Sequence, residues 1–144
     1  MTAYETATRE ITELHQRWFQ ASRDKDLDTS MEPLAANIVS YEHSAPLQFT
    51  DIEAIREECR LGFEASDDVE WTVPDLRIEV EGDLAVAWGL NRMATHQSDG
   101  TDSVTWSRGT RVFRRFDGRW RMIHQHVSFP VDPSTGAAAT GLAP

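Results

Sequence analysis

The chain has 144 residues, of which 24 are acidic and 14 are basic, and its formal net charge is −10. This charge argues against nucleic-acid backbones and anionic membranes as partners, because both require a basic face. The single cysteine, Cys59, excludes an intrachain disulfide, and no stretch approaches the apolar length that spans a bilayer. The N-terminus is charged and lacks the apolar run of a signal peptide, so we expect a single-domain cytoplasmic protein.

Helical patterns occupy the first half of the chain. Thr2 with Glu5, and Thr50 with Glu53, form capping-box patterns, and each pair precedes apolar residues at helical spacing. A short helical stretch lies between them and is limited by Pro33. The helices are expected over residues 3–23, 27–31 and 51–63.

Strand patterns dominate the second half, where Gly-containing loops are typical of hairpins. The β segments are expected over residues 69–81, 84–97, 102–116 and 119–129, after an earlier strand over 37–43. Helices followed by hairpin-linked strands predict an α+β fold with an antiparallel sheet and a wedge-shaped opening at one end. The domain is expected over residues 1–130, and residues 131–144, rich in Ala, Gly, Thr and Pro, are expected to form a flexible tail.

Two segments resemble a known superfamily. The stretch from Ser107 to Pro130, SRGTRVFRRFDGRWRMIHQHVSFP, is similar to the closing hairpin of SnoaL-like, NTF2-like domains, especially the association domain of calcium/calmodulin-dependent protein kinase. The stretch from Tyr41 to Ile55 resembles the strand, bend and helix of the same superfamily. The resemblance implies a cone-shaped, cystatin-like fold, with N-terminal helices packed on a strongly curved antiparallel sheet around an apolar pocket. It also implies a homodimer formed through the sheet.

This superfamily includes ketosteroid isomerase, scytalone dehydratase, polyketide cyclases, limonene-type epoxide hydrolases and non-catalytic hub domains. Glu42 lies thirteen residues before Ile55, which matches the general base of the isomerase. The alternative is a Glu on the solvated side of an edge strand. Trp18 matches the isomerase's oxyanion-hole tyrosine, where it would line the pocket or fill the core. Residues 108–116 contain no Asp or Glu, so the isomerase's second acid has no counterpart.

Two arginines match the kinase association domain. Arg92 and Arg111, counted from Gly82 and Gly118, match arginines that face its pocket, whereas a third family arginine falls on Val127. Two guanidinium groups in an apolar cavity would bind a carboxylate or hold an oxyanion. The alternative is a pair of surface arginines that complement an acidic surface.

Strand alternation extends this inward-facing set. The expected catalytic residues are Glu42 and Arg111, and the expected ligand-binding residues are Trp18, Tyr41, Trp88, Arg92, Phe113, Ile123, Gln125 and Val127. On this register His124 and His126 point away from the pocket together with Trp120 and Met122, and a one-residue slip or a β-bulge would turn both histidines inward.

Two hypotheses of different class follow. The first is an enzyme that uses general acid–base chemistry, without a cofactor or metal, on a small cyclic or polyketide-like molecule. Isomerisation, cyclisation, dehydration and epoxide hydration all fit this hypothesis. The second is a non-catalytic module that binds an organic anion through Arg92 and Arg111. In both cases the expected partners are a small-molecule ligand and a second copy of the chain, since Trp106 and Trp120 are expected on the outer face of the sheet.

Overall fold

Three helices precede most of the strands in the computed structural model, which describes all residues from Met1 to Pro144. The helices are α1 (Ala3–Arg23), α2 (Leu27–Met31) and α3 (Ile52–Glu64). The strands are β1 (Leu34–Tyr41), β2 (Asp68–Thr72), β3 (Arg77–Glu81), β4 (Leu84–His96), β5 (Asp102–Phe116) and β6 (Arg119–Ser128). The α+β class is confirmed, with the N-terminal helices lying over a curved, unclosed six-stranded sheet. No helix combines the length and apolarity needed to cross a bilayer.

The two longer helices begin at side-chain caps. The predicted capping box of α1 is present, because the Thr2 hydroxyl accepts from the Glu5 amide at 3.0 Å and the Glu5 carboxylate accepts from the Thr2 amide at 2.8 Å. The cap of α3 is Asp51 rather than Thr50, since its carboxylate accepts from the Glu53 amide at 2.9 Å. A carboxylate at this position also suits the positive end of the helix dipole, so α3 begins one residue later than predicted.

The sheet is antiparallel except at one edge. Its strands run in the order β1-β6-β5-β4-β2, and β3 also pairs with β4. Strand β1 pairs with β6 in parallel, which differs from the fully antiparallel sheet expected from the sequence. Hairpin signals report only on consecutive strands, and a long crossover through α3 and four strands permits the parallel pairing.

One predicted strand is divided into β2 and β3. Pro74 interrupts residues 69–81, because proline has no backbone N–H to donate to a ladder. The Asp75 carboxylate accepts from the Leu90 amide at 2.8 Å and holds the connection against β4. Gly89 permits this close approach, since an added Cβ there would lie 2.5 Å from Cγ1 of Val73.

A β-bulge in β6 changes which residues face the helices. The pairing passes from Val112–His124 to Phe113–Met122, which leaves Ile123 without a partner. Trp120 and Met122 are therefore 5% and 1% exposed and belong to the core, against the prediction that they face outward. The same bulge removes Ile123 from the inward-facing set. His124 and His126 lie on the outer face, as predicted.

The core lies between α1 and the inner face of the sheet. Its members include Ile11, Leu14, Trp18, Ile38, Phe113 and Met122. Residues 131–144 contain no helix or strand, and an isolated bridge joins Val131 to Ala138. The flexibility of this tail stays a prediction.

His15 is a neutral histidine in this core. Its side chain is fully buried, its Nδ1 donates to the Ile11 carbonyl at 2.8 Å, and its Nε2 has no partner. Burial lowers the pKa of His15 to about 4, against an ordinary value of 6.5. Between about pH 6.5 and pH 4, His15 is therefore protonated in the unfolded chain but neutral in the folded chain. The free energy of unfolding falls as the pH drops through this range.

We expect His15→Leu to remove much of this acid sensitivity. The shift in pKa corresponds to about 3 kcal/mol of unfolding free energy lost between neutral and acidic pH. Urea unfolding across this pH range measures the effect, and His124→Leu, on the outer face of the sheet, is the control. An equal acid-induced loss in His15→Leu and in the unsubstituted protein would contradict this assignment.

Candidate functional site

Two adjoining pockets, which we call the two lobes of one cavity, lie between the helices and the inner face of the sheet. The polar lobe, of about 320 Å³, is bounded by Trp71, Asn91, Ser107, Arg111, Val127 and Phe129. The apolar lobe, of about 280 Å³, is named for its side chains Met31, Leu34, Phe49, Ile55, Cys59 and Met122, and it is also bounded by Ser30, Ser44 and Glu58. Trp18, Glu42, His43 and Gln125 line both lobes and so mark the place where they meet.

Arg111 is a buried cation in the wall of the polar lobe. It is 2% exposed, and its Nη2 donates to Asn91 Oδ1 at 2.8 Å while its Nε donates to Gln125 Oε1 at 3.2 Å. Its guanidinium carbon lies 5.6 Å and 5.0 Å from the ring centroids of Trp18 and Trp71. Its Nη1 is buried without a hydrogen-bond partner.

Burial lowers the pKa of Arg111 to about 10, and the group remains a cation at neutral pH. No carboxylate makes a salt bridge to it, since its polar contacts are two side-chain amides. A buried cation with a free N–H and aromatic walls suits an anionic or carbonyl oxygen of a ligand.

Glu42 lies just past the end of β1, at the junction of the two lobes. Its Oε1 accepts from the Ser40 hydroxyl at 2.5 Å and from Gln125 Nε2 at 3.2 Å. Gln125 therefore links the carboxylate of Glu42 to the guanidinium of Arg111 through its two amide ends. Because the amide separates the two charges, both groups face the cavity without neutralising each other in a direct pair.

A second hydrogen-bonded chain runs along the polar lobe. Asn91 Oδ1 accepts from Trp71 Nε1 at 3.1 Å as well as from Arg111, so its Nδ2 is the end that donates to Ser107 Oγ, at 3.1 Å. Ser107 Oγ lies 2.8 Å from His43 Nε2 at the cavity mouth. Partial burial lowers the pKa of His43, so the imidazole is neutral at neutral pH.

Gly109 leaves room for the guanidinium of Arg111 because it has no side chain. An added Cβ at this position would lie 2.8 Å from Asn91 Nδ2 and 3.1 Å from Arg111 Nη1. We expect Gly109→Ala to displace Arg111 and to weaken binding of a small aryl carboxylate such as phenylacetate by roughly 10-fold, because it disturbs a charge-assisted contact. Isothermal titration calorimetry measures this, with Gly62→Ala in α3 as the control because an added Cβ there meets nothing within 4 Å. Equal affinities in both variants would contradict the crowding argument.

Five of the predicted site residues line this cavity. They are Trp18, Glu42, Arg111, Gln125 and Val127. Phe113 faces the same side of the sheet but is fully buried in the core, where its ring centroid lies 5.6 Å from that of His15. Trp18 combines both predicted roles, since it lines the cavity and is 9% exposed within the core.

Arg92 and Trp88 lie on the outer face of the sheet, against their predicted placement. Arg111 pairs directly with Ala87, so these two side chains share the inner face. Residues at odd-numbered separations along a strand face opposite sides, which turns Trp88 and Arg92 outward. The Nη1 of Arg92 lies 4.0 Å from the carboxylate of Glu70, and both side chains are partly exposed.

Tyr41 also lies outside the cavity. It is 37% exposed, and its ring centroid lies 4.8 Å and 5.4 Å from those of His124 and His126 on the outer face. The buried neighbour Ser40 takes the inward position instead, in accordance with strand alternation.

Several cavity residues were not predicted from the sequence. Trp71, Asn91 and Ser107 are buried and carry the polar contacts around Arg111. The sequence carries one signal for these residues, which is Asn91. This polar residue lies on the same face of β4 as the small buried residues Ala85 and Ala87. Groups of three or more His, Cys, Asp or Glu side chains that could hold a metal ion are not found.

The fold and this cavity together define the class of protein. Helices lie on a curved, unclosed sheet, and the space between them holds a pocket with a buried arginine and a carboxylate. The model of the SnoaL-like domain matches residues 11–132, and the chain belongs to that family. The resemblance inferred from the sequence is thereby confirmed.

Solved structures agree with this assignment. An NTF2-like protein of unknown function from Pseudomonas putida KT2440 is 32% identical, with 97% of this chain and 98% of that chain covered and a TM-score of 0.88. A candidate dehydratase of the NTF2-like family from Streptomyces avermitilis is 14% identical, with coverages of 89% and 99% and a TM-score of 0.78. The association domain of C. elegans CaMKII is 20% identical, with coverages of 88% and 98% and a TM-score of 0.72. No curated protein matches the chain.

Proposed function

We propose that this protein catalyses proton abstraction from a small, mostly apolar carbonyl compound without a cofactor. Glu42 is the general base, and Arg111 stabilises the negative charge that develops on the carbonyl oxygen. The single observation that carries this proposal is the Arg111–Gln125–Glu42 chain, which places a carboxylate and a guanidinium with one unpaired N–H in the wall of one cavity.

The charges of the two groups suit these roles. A carboxylate at the junction of the lobes can accept a proton from carbon, and a buried cation stabilises an enolate more strongly than an exposed cation does. The substrate's oxygen would lie in the polar lobe, and its apolar body would contact Met31, Phe49 and Ile55 in the other lobe. Isomerisation, cyclisation and dehydration all begin with such a proton transfer, and epoxide hydration would use the same base on water.

The experiment for this proposal follows the α protons of small cyclic ketones in D₂O by NMR. Enzyme-dependent loss of the α-proton signal would support proton abstraction, because exchange reports enolate formation directly. Exchange no faster than in buffer across a panel of ketones that saturate the cavity would overturn it. Binding of each ketone is measured separately by calorimetry, so that absence of binding is distinguished from absence of chemistry.

A second candidate function is non-catalytic binding of an organic anion. The specific observation in its favour is that Arg111 is 2% exposed and makes no salt bridge, so a ligand carboxylate would complete its pairing. This candidate rests on Arg111 alone, since Arg92 lies on the outer face. One of the similar structures is a kinase association domain, which is consistent with a binding or assembly role.

A homodimer formed through the outer face of the sheet is part of this proposal. Trp106 lies opposite Arg92, on the face turned away from the cavity, and Val104 on the same face is 47% exposed. We expect a dimer mass by analytical ultracentrifugation at micromolar concentration, and we expect Trp106→Glu to shift it toward a monomer because a charge would be buried at the interface. A monomer mass for the unsubstituted chain would contradict this expectation. The cytoplasmic location stays a prediction.

A further inference from the structure

A serine and a histidine of the polar lobe are in hydrogen-bonding contact and have no part in the proposed proton abstraction. Ser107 is 6% exposed on β5, and its Oγ lies 2.8 Å from Nε2 of His43. Both residues line the same lobe as Arg111. A hydroxyl paired with a neutral imidazole, beside an unpaired cationic N–H, provides a nucleophile, a base and a stabiliser of an oxyanion.

The hydrogen bonds around Ser107 leave His43 Nε2 as the acceptor within reach of its hydroxyl. Trp71 Nε1 and Arg111 Nη2 both donate to Asn91 Oδ1, so Asn91 must present its Nδ2 to Ser107. Ser107 Oγ accepts from that Nδ2 at 3.1 Å, and the remaining neighbour of its hydroxyl is His43 Nε2. With the imidazole proton on Nδ1, Nε2 is free to accept the hydroxyl proton, and this is the tautomer in which His43 can act as a general base toward Ser107.

One face of the imidazole is packed, although the residue as a whole is exposed. The ring of His43 lies against that of Phe129, with centroids 4.8 Å apart and an angle of 35° between the planes. Partial burial lowers the pKa of His43, which keeps it in the neutral form that can accept a proton. Asn91, fixed by two donors, holds Ser107 from the other side.

We infer that Ser107 is an acyl-accepting nucleophile toward small uncharged esters, with His43 as its general base and Arg111 as the stabiliser of the oxyanion. This activity goes beyond the proposed function and does not rest on it, because Glu42 has no part in it. Ser107 Oγ forms a bond to the ester carbonyl carbon, and its proton passes to His43 Nε2. The carbonyl π electrons move onto the oxygen, where the cation of Arg111 stabilises the charge.

The intermediate collapses when the bond to the leaving oxygen breaks. That oxygen takes the proton from His43, so the products are an acylated Ser107 and a free alcohol or phenol. Water then attacks the acyl carbon by the same route, which returns Ser107 to its hydroxyl form and releases the carboxylic acid. No oxidant, reductant or further reactant is required.

The test uses the full chain with 4-nitrophenyl acetate as the ester and a small alkyl fluorophosphonate as an irreversible probe. We expect a burst of 4-nitrophenol, an acid-quenched adduct of one acetyl group per chain, and both labels on Ser107 by peptide mapping. Ser107→Ala should lose both labels, and His43→Gln should slow acylation by on the order of 100-fold, in line with the removal of a general base. Ser103→Ala, which changes an exposed serine of the same strand, should retain the label.

Peptide mapping of the labelled, unsubstituted protein shows whether Ser107 is the nucleophile even if Ser107→Ala fails to fold. If neither probe modifies Ser107, or if the label lies on Cys59, Lys25 or the N-terminus with Ser107 unmodified, the inference is overturned. Such a result would leave the proposed proton abstraction at Glu42 untouched, because that chemistry does not require a nucleophilic serine.

Discussion

Replacement of Glu42 by Gln is expected to abolish α-proton exchange while leaving ligand affinity nearly intact. Gln keeps the size of the side chain and its contacts with Ser40 and Gln125 but cannot take a proton at neutral pH. The expected fall in the exchange rate is about 10²- to 10⁴-fold, which is the usual contribution of a general base. The rate is measured by NMR of cyclic ketones in D₂O, and the affinity by calorimetry with the same ketones.

The matched control for this experiment is Glu79→Gln. Glu79 is an exposed residue of β3, so its replacement makes the same change in charge away from the cavity. The control should exchange α protons at the rate of the unsubstituted protein. If Glu42→Gln retains that rate as well, Glu42 is not the base, and another group of the protein must take the α proton.

Replacement of Arg111 by Met is expected to weaken ligand binding without lowering the free energy of unfolding. Phenylacetate affinity should fall roughly 10- to 100-fold, because a charge-assisted hydrogen bond to a buried guanidinium is lost. Arg92→Met should leave the affinity unchanged, since the structure places Arg92 on the outer face beside Glu70. A larger loss in Arg92→Met than in Arg111→Met would contradict the register described for β4 and β5.

The stability of Arg111→Met is expected to stay level or to rise. Burial lowers the pKa of Arg111 to about 10 from an ordinary value of 12.5, so the folded state holds this proton less firmly than the unfolded chain does. The buried charge therefore opposes folding at neutral pH, and that cost is relieved only as the pH rises through about 10. An apolar residue of similar length removes it, with an expected gain of up to about 2 kcal/mol in urea unfolding. A loss of several kcal/mol instead would show that the contacts of Arg111 with Asn91 and Gln125 stabilise the fold.

The elements of the fold were largely accessible from the sequence because their signals are local. The capping box at Thr2, the apolar spacing of α1 and the glycines at the hairpins act over a few residues, and the structure confirms these elements. The parallel pairing of β1 with β6 was not accessible, since it depends on where the chain returns after α3 and four strands. The division of 69–81 has a local cause, because Pro74 has no backbone N–H to donate to a strand ladder.

The sequence predicted the inward-facing residues of β5 and β6 correctly only where no β-bulge interrupts the alternation of side chains along the strand. Arg111, Gln125 and Val127 face the cavity as expected, and Glu42 lies at its junction. The bulge at Ile123 reverses the alternation in β6, which sequence spacing alone does not reveal. In β4 the prediction assigned Arg92 to the inner face by counting from a hairpin glycine, whereas Arg92 lies on the outer face. Cross-strand pairing with β5 corrects that count, and pairing is a property of the folded sheet.

A crystal structure of the protein saturated with phenylacetate would show directly whether Glu42 and Arg111 belong to one functional site. The carboxylate mimics the enolate, so one of its oxygens is expected within hydrogen-bond distance of Nη1 of Arg111. The methylene carbon of the ligand should face the carboxylate of Glu42, and the ring should extend into the apolar lobe beside Ile55. Phenylacetate bound on the outer face near Arg92, or a cavity still empty at saturation, would contradict the assignment of Glu42 and Arg111 to one functional site.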